Sequence, residues 1–430
     1  MLKKVFGFDP QRSSIRTEIF AGITSFLTMS YILAVNPSLF SILDGMPQGA
    51  VFTTTAIVSI TGSLLVAFVA KMPFGIAPAM GPNAFFVFTV CLGMGYSWQF
   101  ALTAILVESF ILILLTLTDL REAMVNAIPV TIKKSITIGI GLFITFVGLQ
   151  NAGIVVQDDS TLIRLGNITE GSGLLAMIGL AITAALVIRN IKGGLLIGIL
   201  ATTIIGIPMG ITHYQGIVSV PQSVEPIFWK FEWAEIFTTD MLVVVFSFMF
   251  IDLFSLTGSA VGVCMKGGFA DKDGKIPGIK RIFISDSFST LCSAIFGTSA
   301  ACTLIEGSSG VAQGGRSGLT AFTVAVCFAI ALFFSPLFLA IPSAATAPVL
   351  ITVGLMMFSS VKELPLDDYS EAIPAFITIT VMPLAYSIAD GILLGFISYV
   401  VVNVLSGNFR KLSPALYILA VLFALKYILL

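Results

Sequence analysis

Three polar side chains, Asn83, Asp252 and Glu306, stand in stretches otherwise apolar enough to fill a membrane. Two of them are acids. Carboxylates accept hydrogen bonds from N–H groups, a protonated carboxyl also donates one, and an asparagine does both. The set suits a small, planar, uncharged ligand edged with N–H and carbonyl groups, and either acid could also carry a proton. An ionisable group inside a membrane segment is costly and by default marks a functional site. Phe85, Phe86, Phe250 and Phe254 lie close by in sequence and could pack on a ligand ring. Plain helix packing competes with that use for any one of the 36 Phe. The predicted substrate site is Asn83, Asp252, Glu306, Phe85 and Phe254, with Asp252 and Glu306 as the proton-coupling pair. Glu108 and Asp286 also lie inside apolar runs, where binding and structural hydrogen bonding compete evenly.

These residues need particular elements to hold them. Asn83 sits in GIAPAMGPNAFFVFTV, just after Pro78, Gly81 and Pro82. Proline and glycine there break a helix, so an extended piece should lead into a half-helix starting near Asn83. Glu306 lies in TSAACTLIEGSSGVAQGGRSGLT, residues 298–320, whose glycines and serines argue against an ordinary spanning helix. A second half-helix is expected to start near Ala300–Glu306. In lipid, irregular backbone survives only inside protein or beside a water-filled cavity. Helix starts expose free N–H groups and the positive end of the helix dipole. Two half-helices meeting from opposite sides would bring Asn83 and Glu306 face to face. Asp252, half-way along VVVFSFMFIDLFSLTGSAVGV, would complete the cavity. A helix start holds the Glu306 anion more easily. Asp252, without one, is therefore the expected proton carrier, at one proton per substrate. Glu306 is the alternative, and coupled acids can share a proton.

The whole chain supports this class. Of 430 residues, 57% are hydrophobic and 10% charged, with net charge -1; a soluble domain has about 25% charged residues. The sequence predicts an all-α polytopic membrane protein with no nucleic-acid partner. His213 is the single histidine and the five cysteines form no CxxC pair, so no metal site and no cofactor are expected. With no H-E-x-x-H and no nucleophile–base pair, an enzyme is not expected. The basic N-terminus precedes an apolar run from Ile19 without an A-x-A-like cleavage site, which reads as a retained first span. Span lengths of about 20 residues place fourteen spans, the third (82–93) and tenth (303–313) being short. Residues 222–238 mix aromatics and charges and read as a helix lying in the interface; residues 413–430 read as an apolar tail helix. With the N-terminus inside, every Lys and Arg except Arg164 and Lys230 falls on the inner side, a strong positive-inside bias. Arg316 is read as the inner end of the tenth span. Both termini are then cytoplasmic, in a cell (inner) membrane.

A repeat is also visible. Pro129 is followed twelve residues later by Gly141, as Pro342 is by Gly354; Gly194-LLI-Gly198 recurs as Gly391-ILL-Gly395. Chance matches in apolar sequence compete with this reading. Seven spans per half is odd, so the second half would run in the opposite sense, an inverted repeat of the transporter kind.

Four segments, EIFAGITSFLTMSYILAVNPS, APAMGPNAFFVFTV, FSFMFIDLFSLTGS and LIEGSSGVAQGGRSGLTA, resemble the signatures of the purine permeases in the nucleobase–cation symporter 2 family, specifically its azaguanine-sensitive (AzgA-like) subgroup. The resemblance covers nearly the whole chain. It implies a fourteen-span, seven-plus-seven inverted repeat with half-helices at spans 3 and 10. A core domain (residues 1–130 and 240–340) would rock against a gate domain (131–239, with the interfacial helix, and 341–430, with the C-terminal helix). It implies a secondary transporter importing adenine, guanine or hypoxanthine by proton symport, with Asn83, Asp252 and Glu306 at the family's site positions. A same-fold permease for uracil, xanthine or another small solute is the alternative. The eighth-span motif departs from the family pattern, with Ser255 and Ser259 in place of a second acid and a threonine. That bears on proton number and preferred base. A homodimer in the lipid bilayer is compatible with the sequence.

Overall fold

The computed structural model describes residues 2–424 except 119–120, 122–127, 215, 270–275, 277, 415, 418–419 and 422. For residues 254, 257, 258, 261, 262, 265, 266, 305 and 411 the backbone alone is described. Among the described residues, eight helices are long and apolar enough to cross a membrane by length and composition, and three further apolar helices are shorter.

The first half opens with a short helix, α1 (Leu2–Phe6), then α2 (Ile15–Met29), α3 (Ile32–Phe40) and α4 (Gln48–Leu65). Next comes a strand, β1 (Ile76–Pro78), leading into α5 (Met80–Ala84), which continues in wider turns to Gly93. α6 (Trp98–Leu117), α7 (Val130–Asn151), an exposed hairpin of β2 (Val155–Asp158) and β3 (Leu162–Leu165), α8 (Gly171–Ile188) and α9 (Gly194–Gly206) complete it. The second half holds α10 (Thr239–Lys266), α11 (Ile279–Phe296), β4 (Ala301–Thr303), α12 (Ser308–Ala312), α13 (Gly318–Ala331), α14 (Ser335–Leu339), α15 (Ser343–Phe358), α16 (Tyr369–Leu384) and α17 (Ile388–Leu405).

The expected break before Asn83 is present, but the helix starts three residues earlier, at Met80. Pro82 then falls in the first turn, where its missing N–H costs no hydrogen bond. Each half contributes one strand to an antiparallel pair, with Ile76 opposite Thr303 and Pro78 opposite Ala301.

The glycines of the repeat occupy matching close contacts. α7 and α15 each start directly after a proline, Pro129 and Pro342. A Cβ on Gly141 would lie 2.6 Å from the carbonyl oxygen of Gly354. Only glycine lets the two backbones approach so closely. In the other pair, Gly198 abuts Thr183 and Gly395 abuts Thr378. Gly141→Leu should therefore force α7 and α15 apart and cost roughly 1–3 kcal/mol, the usual price of overpacking a core. A detergent-solubilised variant as heat-stable as wild type would contradict the contact.

The interfacial helix expected at 222–238 is absent: this segment is turns and irregular backbone. One turn closes across Pro226, with Phe228 N–H bonded to Val224 O at 2.9 Å, and ends at Trp229, whose φ is +56°; beyond it the backbone bonds across to other elements. Trp229 N–H donates to Ile295 O at 2.9 Å and Glu232 N–H to Thr103 Oγ1 at 2.9 Å. The aromatics remain at the surface, with Trp229, Trp233 and Phe237 exposed. The tail helix is partly described, its described residues between Pro414 and Ala424 being helical.

Candidate substrate site

Short strands inside a membrane bundle leave backbone groups that lipid cannot satisfy. Here hydroxyls supply the partners. Ser63 Oγ accepts from Ile76 N–H at 3.3 Å. Ser259 Oγ reaches Thr303 O at 2.5 Å, and Thr290 Oγ1 donates to Ala301 O at 3.2 Å. Ser259, one of the two departures from the family pattern, thus anchors β4. Ala79 N–H bonds Ala300 O at 3.2 Å, so the pairing extends to the start of α5.

Glu306 lies in a single tight turn, Ile305–Gly307, that opens α12. It is half-buried, whereas Tyr31 is buried. Tyr31 Oη donates to Glu306 Oε1 at 2.8 Å. The same face of α2 grips the turn's backbone: Thr28 Oγ1 donates to Glu306 O at 3.1 Å and Ser25 Oγ to Gly307 O at 3.3 Å. Ser309 Oγ also donates to Glu306 O, at 2.8 Å. Ser25 and Thr28 on α2 hold the backbone of the turn, and Tyr31, between α2 and α3, holds the carboxyl. Gly310 lets α2 approach, since a Cβ there would lie 2.5 Å from Ala21 O.

Asn83 is fully buried and accepts a hydrogen bond from Ser299 Oγ, on the residue pair just before β4. Phe85 is also fully buried, with its ring edge-on to Phe248 at 4.6 Å between centroids. Phe250 packs on Phe246 and Phe396. The side chain of Phe254 lies outside the described residues. No hydrogen bond joins any two of Asn83, Asp252 and Glu306 among the described residues; the strand pair sets the two helix starts apart.

Asp252 is fully buried in a charge cluster. Arg121 is 1% exposed. Its Nη2 lies 2.7 Å from Asp286 Oδ2 and 3.4 Å from Asp252 Oδ2. Its Nη1 donates to Ser287 Oγ at 2.9 Å and Phe283 O at 3.2 Å, with the guanidinium 4.9 Å from the Phe283 ring centroid. Arg121 was expected among the inner surface charges; it is instead the counter-ion of two membrane acids. Asp286 is thereby an ion-pair partner of Arg121. Glu108 is fully buried beside them. β4 joins the cluster to the Glu306 turn: buried Cys302 lies within electrostatic reach of Glu306, Asp252 and Asp286.

A family profile described as "Permease family" matches residues 16–394. The chain belongs to this family, that of the nucleobase–cation symporters 2. It is similar to the adenine permease AdeP of Escherichia coli (strain K12), 44% identical over 428 residues that cover 100% of this chain and 96% of AdeP. It is similar also to the guanine/hypoxanthine permease PbuG of Bacillus subtilis (strain 168), 42% identical, with 99% of each chain covered. Among solved structures, the murine Slc26a9 anion transporter in its inward-facing state shares the fold. Its TM-score is 0.68 at 13% identity, over 94% of this chain and 70% of that one. The protein is a multi-pass helical membrane permease, not an enzyme.

Two buried polar residues of the permease were missed by sequence reasoning. Glu18 is fully buried and caps the start of α13. Its Oε1 accepts from Arg316 N–H at 3.0 Å, and its Oε2 accepts from Ser317 N–H at 3.3 Å and Thr320 Oγ1 at 2.5 Å. A carboxylate on free N–H groups satisfies a helix start in a place without water. Asn36 ties α3 to α4 and to the approach of β4, donating to Thr55 Oγ1 at 2.6 Å and Thr298 Oγ1 at 3.1 Å. Asn36 carried the signal that singled out Asp252, a polar side chain in an apolar run; Glu18 stands just before such a run, beside Arg16, and carried none.

Proposed function

We propose that this permease imports purine nucleobases (adenine, guanine or hypoxanthine) by proton symport with alternating access. The observation that carries the reading is the Glu306 carboxyl. It is half-buried at the first turn of a broken helix, and Tyr31 fixes one of its oxygens. The second broken helix, which bears Asn83, is tied to this one through the paired strands β1 and β4. Acceptors and donors fixed in this way suit the N–H and ring-nitrogen edge of a planar base. Relatives similar over the full length are an adenine permease and a guanine/hypoxanthine permease, which supports a purine.

In this reading Asn83, Asp252 and Glu306 hold the base, Phe85 and Phe254 line the site, and the Asp252–Glu306 pair couples it to the proton. The architecture is fourteen spans as a seven-plus-seven inverted repeat. The antiparallel β1–β4 pair, one strand from each half, supports it, as do the matched contacts of the repeat glycines. Residues 1–130 and 240–340 form the core, and residues 131–239 and 341–430 the gate. Both termini face the cytoplasm in the inner membrane. Cysteine in place of the exposed Asp159 should then react with an impermeant thiol reagent on intact cells, and cysteine in place of Arg410 should not. The reverse labelling would overturn the orientation.

Uptake of radiolabelled adenine, guanine, hypoxanthine, xanthine and uracil, with and without a protonophore, tests the substrate and the driving ion together. Purine uptake that collapses with the protonophore is expected. Uptake of uracil or xanthine alone would overturn the substrate, and indifference to the protonophore would overturn the coupling.

A further inference from the structure

The buried cluster holds three carboxyls, Glu108, Asp252 and Asp286, and one guanidinium, Arg121. Fully ionised, it would carry two negative charges in excess at 0% exposure for each acid. The bilayer interior does not tolerate such an excess; buried charges there are paired or neutralised. Arg121 is committed to Asp286 at 2.7 Å and reaches Asp252 at 3.4 Å, and its Nη1 is taken by Ser287 and Phe283. Among the described residues, neither oxygen of Glu108 has a hydrogen-bond partner. The charged groups acting on Glu108 are Asp252 from α10, Asp286 from α11 and Arg121. Two of these three repel an anion there.

We propose that Glu108 holds the exchangeable proton of the transport cycle, with Asp252, Asp286 and Arg121 as the set that passes it and balances its charge. The inference rests on the reading of the protein as a proton symporter. It moves the main proton site from Asp252, which Arg121 reaches at 3.4 Å, to the acid whose two oxygens have no hydrogen-bond partner among the described residues. The proton enters as the carboxylate becomes a carboxyl and leaves by the reverse step, so no other reactant is needed. Cys302 in β4 is reached electrostatically by Asp252 and Asp286 on one side and by Glu306 on the other, so one short strand separates the cluster from the Glu306 turn.

The test is Glu108→Gln, which keeps shape and neutrality but cannot exchange a proton. In proteoliposomes an inward gradient of one pH unit sustains about tenfold accumulation at one proton per substrate. Wild type should reach that level with adenine. The variant should still exchange internal for external adenine while accumulating none. Accumulation by the variant equal to wild type would overturn the proposal. Infrared spectroscopy of purified protein without substrate supplies a second readout. A protonated-carboxyl C=O band, pH-sensitive in wild type, should disappear in Glu108→Gln and be shifted in Glu108→Asp. An unchanged band would overturn the assignment whatever the transport assay gives. If wild-type protein carries no purine at all, the substrate reading fails while the infrared result still decides the proton site. Should Glu108→Gln not fold, Glu108→Asp decides by whether the band moves.

Discussion

Glu306→Gln is expected to lower substrate uptake by about 10- to 100-fold while the protein still reaches the membrane. A hydrogen bond to a charged group contributes about 1.5–3 kcal/mol, and each 1.4 kcal/mol is about tenfold in affinity. Glutamine keeps the shape and can still accept from Tyr31, but its amide turns a donor toward the donors of a base. The backbone ties from Ser25, Thr28 and Ser309 go to main-chain oxygens at Glu306 and Gly307 and are unaffected. The loss should therefore be one of function rather than folding. Tyr31→Phe, which removes only the 2.8 Å bond to Oε1, should give a smaller loss in the same direction. Wild-type uptake kinetics in Glu306→Gln would remove Glu306 from the site.

Arg121→Met should be strongly destabilising. Removing one partner of a buried ion pair costs about 3–5 kcal/mol, because the charge left behind stays unpaired. Here two acids lose their cation, and Glu108 already lies beside them. Lowering the pH should narrow the deficit, since protonating the stranded acids removes the charge. Adding Asp286→Asn should recover much of the stability, since the pair is then removed as a unit. Thermal unfolding followed by size-exclusion chromatography in detergent compares the three proteins. An Arg121→Met protein as stable as wild type, or a double variant worse than the single, would show that these charges are not coupled as described.

The sequence alone determined the class of the protein and the broken helices. Lipid makes an unpaired polar group so costly that Glu306 and Asp252 stand out from any apolar run around them. Proline and glycine before Asn83, and glycine and serine around Glu306, mark interrupted helices by local backbone preference, which needs no tertiary partner. Tertiary structure decided what those polar groups touch. Tyr31 meets Glu306 across 275 residues and Arg121 meets Asp286 across 165, separations over which no local rule operates. Arg121 sits beside the end of a span and so reads as a surface charge; only the acids of α10 and α11 draw it inside. The aromatic segment 222–238 has the composition of an interfacial helix, but the left-handed backbone of Trp229 and bonds to Thr103 and Ile295 break it into separate turns. Composition reports which solvent a segment prefers, while the partner that satisfies each buried charge is chosen by packing.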